Sequence, residues 1–343
     1  MRSYGAQELA STAFGLAKLG HTPSEAWLDA AHRRFRDAAT VAGANAPTFV
    51  KFGWALVQFK MNPSFNWMLA FCSEVRQRID MYTARELATL IWICIRLKHV
   101  PDPLFLEVWF KAATRRMPTF NPPSLLLALQ SLAAAELRTP APATFMRALL
   151  PKLREMFMDM SGPELAEALW CVVSLRLKPD EQWMDDYMAA CEGVVSSLPP
   201  QSMADCAWSL ARLRYQPSEM WEEAAAVQVS RTLGAYTAAQ LGVVVWAWGS
   251  VELGPVPEAW RSALLDKARA EGFAESEIKD VQRFVLGMAE HNSVEGRNED
   301  AGWKPQQQQM KLQQAEPPSR LQQHKQQQGV QQKRRRNMEV SRF

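Results

Sequence analysis

A chain that copies one unit along its length folds by stacking those copies, because each unit covers its apolar faces only with its neighbours. This sequence is such a chain. Pro179-Asp180-Glu181-Gln182-Trp183, preceded by Trp170, returns as Pro217-Ser218-Glu219-Met220-Trp221 behind Trp208. It returns again as Pro63 to Trp67 behind Trp54 and as Pro23 to Trp27 behind Phe14. Counted from the apolar residue five places before the tryptophan slot, the units are anchored at Leu9, Phe49, Leu87, Leu127, Leu165, Met203 and Leu241, a period of 38 residues.

Within each unit, apolar or small residues fall at positions 0, 1, 4, 5, 7, 8 and 10 from the anchor, which is the wide stripe of an amphipathic helix. We call this helix A. Thr83, Ser161 and Thr237 precede three of the anchors by four residues and are followed by Glu86, Glu164 and Gln240, the pattern of a capping box. The proline of the repeated figure cannot continue the helix, since it lacks an N–H and clashes with the preceding turn. A second helix, B, therefore starts after it, with the final aromatic in its first turn, placed to lie over the end of helix A. The expected fold is all-α: a right-handed α-solenoid of about seven helix-turn-helix units over residues 1–275, a capping helix over 276–291 and a disordered tail over 292–343.

The tail reading rests on composition. Residues 304–343 hold 13 glutamines, nine basic and two acidic residues and little to bury. Its Lys333-Arg334-Arg335-Arg336 cluster suits either nucleic-acid binding or a nuclear address, or it merely keeps the tail soluble. The formal charge is +3 for the chain and +7 for this tail, so residues 1–303 carry −4. Any affinity of the repeats for a polyanion must then come from a local stripe. Five scattered cysteines read as buried free thiols of a reducing compartment, and neither zinc spacing nor a metal or cofactor motif is present. No apolar run reaches the ~20 residues of a membrane span. Phosphate-loop, HExxH and G-x-S-x-G patterns are absent, and His21 and His99 fall in the turns after helix A, where they read as surface residues, so a non-enzyme is expected. The chain starts inside its first unit without a polar cap, and an incomplete N-terminus is the expectation.

Two columns of residues are candidates for a site. Eleven places after the anchors stand Lys60, Lys98, Arg138, Arg176 and Arg214, basic in five consecutive units. A cation there complements the helix dipole by about 0.3 to 1 kcal/mol; alternatively, the stack lines the five up to follow the phosphates of an extended strand. The second column varies. Position 2 holds Ser11, Lys51, Thr89, Glu167 and Asp205, and position 9 holds Lys18, Gln58, Arg96, Ser174 and Arg212, flanking a mostly small position 6 on what reads as one face of helix A. Such a face suits a modular reader that meets each base with two or three side chains, or it is an ordinary solvated surface.

The period, the Trp or Leu of helix A and the Pro-x-x-x-Trp figure over about residues 5–275 resemble the octotricopeptide repeat family of algal organelles, relatives of FAST-kinase-like RNA-processing proteins. The resemblance implies an α-solenoid that binds single-stranded RNA and acts in processing, stability or translation of particular transcripts, in the chloroplast or else the mitochondrion. It implies other RNA-processing proteins as partners. A protein-interaction scaffold without RNA specificity is the rival reading, favoured by the acidic balance of residues 1–303.

Overall fold

The computed structural model describes residues 4–42, 44–135, 142–251 and 256–290. Their regular structure is helical throughout, arranged as seven A/B pairs and a final helix. The A helices are α1 (Ala6–Lys18), α3 (Ala46–Gln58), α5 (Ala84–Arg96), α7 (Pro122–Ala134), α9 (Gly162–Ser174), α11 (Pro200–Leu213) and α13 (Ala238–Ser250). Alternating with them are the B helices α2 (Glu25–Ala42), α4 (Phe65–Gln77), α6 (Pro103–Arg116), α8 (Ala143–Met156), α10 (Glu181–Glu192), α12 (Glu219–Arg231) and α14 (Glu258–Ala270). Each A helix packs on the next A helix from α1 to α13, and the B helices pack in their own row from α2 to α12. This two-layer stack is the solenoid expected from the period. Helix α15 (Glu275–Glu290) lies against α14 with Ile278 and Val281 buried. The tail, residues 291–343, lies outside the described residues.

Capping boxes open α5, α9 and α13 as their sequences predict. Thr83 and Thr237 each accept from the backbone three residues on, while Glu86 and Gln240 accept from the Thr83 and Thr237 N–H groups at 2.9 and 3.0 Å. The Ser161 N–H donates to Glu164 Oε2 at 2.9 Å. One-turn 3-10 helices at Ile79–Met81, Met117–Thr119, Phe157–Asp159, Val195–Ser197 and Leu233–Ala235 each lead into an A helix.

Those turns fix the register, and the fourth unit differs from the expectation. In α5, α9, α11 and α13 the anchor stands eight residues after the turn begins and four after the cap. For α7, with its turn at Met117 and its cap at Asn121, the same spacing gives Leu125, not Leu127. Burial agrees: Leu125, Ala128, Leu129, Ser131 and Leu132 are buried in the places of Leu87, Leu90, Ile91, Ile93 and Cys94 in α5. Four leucines within five residues admit two hydrophobic registers, and the asparagine cap decides between them.

The Pro-x-x-x-Trp figure is a helix start. The residue after the proline is the N-cap: Ser64, Asp102, Asp180 and Ser218 accept from the backbone N–H of Trp67, Phe105, Trp183 and Trp221 at 3.3, 2.9, 2.8 and 3.2 Å. In two units this aromatic makes a contact the sequence does not announce, its indole reaching back to the preceding B helix. Trp67 stacks on His32 and donates to the His32 carbonyl at 3.2 Å, and Trp183 donates to the Leu150 carbonyl at 2.9 Å. Ion pairs add to the same row, Arg115 with Asp80 and Arg154 with Asp186. Within single units, Trp109 and Tyr187 hold the carbonyls of the anchors Leu87 and Leu165 at 3.0 and 3.2 Å.

All five cysteines are free and buried, as their apolar positions predict, with Cys72 and Cys94 sulfurs 3.9 Å apart. His99 departs from the surface position expected of it: it is buried, with its ring 5.7 Å from that of Phe65. Among the described residues no helix is long and apolar enough to cross a membrane.

The B-layer contacts give a graded expectation. Asp180→Ala, which removes a cap, costs about 1 kcal/mol in urea unfolding; Trp183→Ala, which also empties the space between α8 and α10, costs about 3 to 5 kcal/mol.

Candidate functional site

The A layer presents one face outward, and the burial pattern identifies it. Positions 0, 3, 4, 6, 7 and 10 are buried in α5 and α9, apart from half-buried Leu175, whereas positions 2, 5 and 9 keep access to solvent. Steps of three and four place these on one stripe. Position 6, read from the sequence as the floor of an open face, is instead packed inside the layer: Ala55, Ile93, Cys171, Ser209 and Ala247 are fully buried. The floor of the outward stripe is position 5.

That position is aromatic. Phe14, Trp54, Trp92, Trp170, Trp208 and Trp246 are all half-buried, with part of each ring in solvent. Sequence reasoning assigned these rings to the repeat core, since size and apolarity carry no sign of direction. The signal that locates them is their spacing from the variable positions 2 and 9. In the first two units the rings of Phe14 and Trp54 meet at 5.0 Å, and the ammonium of Lys18 lies over both, 5.5 and 5.4 Å from their centres. An apolar ring with a cation above it is a surface that takes flat, polarisable and anionic groups.

Along the edge where the A helices end runs the cationic column. Lys60, Lys98, Arg176 and Arg214 are exposed and all adopt the left-handed conformation, with φ of 54°, 57°, 58° and 53°. Each is the left-handed residue of a Schellman turn, just past the helix cap at Lys60, Lys98 and Arg176 and at the cap itself for Arg214. The Lys98 N–H donates to the Ile95 carbonyl and His99 N–H to Cys94, both at 2.9 Å; Arg176 and Leu177 repeat this on Val173 and Val172, also at 2.9 Å. Arg138 lies outside the described residues, and the register of α7 gives the eleventh position of its unit to Glu136, which also lies outside them.

The left-handed turn costs a non-glycine residue roughly 1 to 2 kcal/mol, while the helix dipole returns about 0.3 to 1 kcal/mol to a cation. Local structure therefore gives lysine or arginine no advantage over glycine. The chain itself makes the comparison: Gly20 and Gly272 fill the same turn after α1 and α14, with φ of 70° and 76°. Four cations held where glycine fits better need a reason outside the helix end. Lys98, Arg176 and Arg214 enter no ion pair among the described residues, so their charge faces solvent.

The variable positions divide along the stack. Ser11, Lys51, Lys18, Gln58 and Arg212 are exposed; Thr89, Arg96, Glu167 and Ser174 are half-buried; Asp205 is buried. Thr89 turns its hydroxyl to the Arg85 carbonyl at 2.8 Å. Asp205 accepts from Gln201 Nε2 at 3.0 Å, and Gln201 Oε1 accepts from Gln240 Nε2 at 2.9 Å, so a polar chain crosses from α13 to α11. At its end, burial and the negative charges of Asp205 and Glu164 push the Glu167 carboxyl up to about 8. Glu167 is thus largely protonated near neutral pH. The described residues hold no cluster of three or more potential metal ligands.

Residues 160–282 match the protein family described as Tbc2 translation factor, C-terminal domain. The match covers the last three helix pairs and the first half of α15, including Arg176, Arg214, Trp170, Trp208 and Trp246. No curated protein matches the chain.

Two outcomes test this description. Arg176→Gly leaves stability unchanged or raises it by up to about 1.7 kcal/mol, because relief of the left-handed turn offsets the lost dipole contact. For Glu167, whose folded-state value lies above the ordinary 4.5, the folded chain holds a proton that the unfolded chain has released. Stability falls as pH rises between about 4.5 and 8. Glu167→Gln flattens that decline and raises the melting temperature at pH 8.

Proposed function

We propose that this solenoid binds single-stranded RNA along the outward stripe of its A helices and acts on translation, maturation or stability of particular organellar transcripts. The observation that carries the reading is the cationic column: Lys60, Lys98, Arg176 and Arg214 stand in left-handed turns that favour glycine. A ladder of cations beside a column of half-exposed rings is the combination by which single strands are held, phosphates on charge and bases on aromatic faces. Paired bases in a duplex offer no such faces, so a single strand is the polyanion that uses both columns. The side chains of positions 2 and 9, which change from unit to unit beside the rings, then choose among bases, one base per unit.

The family match adds the word translation, since the family it names is that of a translation factor. The resemblance to octotricopeptide repeats supports an organelle, the chloroplast first and the mitochondrion second. It also supports a role carried by binding and not by catalysis, with other RNA-processing proteins as partners.

Binding is measured on the full chain with Lys333, Arg334, Arg335 and Arg336 each replaced by glutamine, which removes the basic cluster of the tail. A random single-stranded RNA pool is retained and enriched for a motif of about seven nucleotides. Contacts from the four described cations give a slope of log affinity against log salt of about −3. Lys98→Glu with Arg176→Glu abolishes retention. No retention, or a slope near zero, removes the reading and leaves a protein partner in its place.

A further inference from the structure

The fourth unit breaks the aromatic column. With the register set by Asn121, the outward positions of α7 are Leu127, Gln130 and Ala134, and Gln130 occupies the place that a ring fills in the other six units. Gln130 and Ala134 are exposed and Leu127 is half-buried, so the gap is at the surface. Neither a ring nor a charge stands on this part of the stripe. Yet α7 packs on α5 and on α9 as the other A helices pack on their neighbours, so the stack runs through unbroken. The interruption belongs to the surface alone.

The blocks on either side are alike in rings and unlike in charge. Phe14, Trp54 and Trp92 precede the gap, and Trp170, Trp208 and Trp246 follow it. Beside the first three stand Lys18, Lys51 and Arg96; beside the second stand Glu167 and Asp205 with Arg212. Stacking on an aromatic side chain is the sequence-tolerant part of single-strand affinity. A unit without a ring loses that part whatever base it faces.

Building on the RNA reading above, we infer that the array engages a single strand in two stacked blocks of about three nucleotides, separated by one nucleotide that crosses α7 unstacked and unread. The partner is an RNA whose recognised element is bipartite, with a central position free to vary. Gln130 is the residue that makes it so.

The test takes the RNA that the full chain, its tail cluster replaced by glutamine as above, binds most tightly from a random single-stranded pool. Each nucleotide is replaced in turn by an abasic ribose. The expected profile has two sensitive blocks, each position losing about 5- to 150-fold in affinity, around one position that loses less than about 2-fold. In Gln130→Trp the tolerant position becomes sensitive and the intact RNA binds about 5-fold tighter or more. Gln130 is exposed, so this change leaves the core alone, and the abasic profile of the unsubstituted chain is an independent readout. A profile without a tolerant centre overturns the bipartite inference while leaving RNA binding intact, and so does a Gln130→Trp chain whose profile is unchanged. Absence of any retained RNA overturns the inference together with the reading it rests on.

Discussion

A helix pair of this length can hide one side of each helix against its partner, but both flanks of the pair stay apolar until another copy covers them. That dependence organises the molecule. Small residues at position 6 let the A helices approach closely, and Ala55, Cys171, Ser209 and Ala247 disappear completely between neighbours. The B row uses another device, in which an indole donates across the joint to a carbonyl of the preceding helix, as Trp67 does to His32 and Trp183 to Leu150. Because the A helices stack in one register, equivalent residues of successive units fall into a column, and a site is built by repetition.

Much of this architecture is legible in the order of the residues alone. The period gives the number of units, the proline gives the break between helices, and Thr83, Ser161 and Thr237 announce where α5, α9 and α13 begin. Sequence reasoning fails where hydrophobicity is locally uniform. Leu125, Leu126, Leu127 and Leu129 satisfy a helical stripe in more than one register, and only the short polar residue Asn121 breaks the tie by accepting from the Ser124 N–H at 3.1 Å. The two-residue difference puts Gln130 into the aromatic column.

The site is half legible, for a related reason. Charge at position 11 can be counted, but the left-handed backbone beneath it cannot, and it is the backbone that makes Lys98 and Arg176 unusual. The tryptophans of helix A are visible as a pattern and invisible as a surface, because a large ring lying at the rim of a layer is apolar enough to pass for core. Glu167 shows the converse: burial, with the charges of Asp205 and Glu164 beside it, favours the protonated state of a carboxyl that looks solvated in the sequence.

The Schellman turns after α1, α3, α5, α9 and α11 are closed by backbone hydrogen bonds alone, so they form with more than one kind of side chain. Glycine, lysine and arginine already occupy them in different units of this one chain. Such a turn offers evolution a socket in which charge can be added or removed at a cost within ~2 kcal/mol, without disturbing its neighbours. A family of such solenoids can retune its electrostatic edge one unit at a time while the scaffold beneath stays the same.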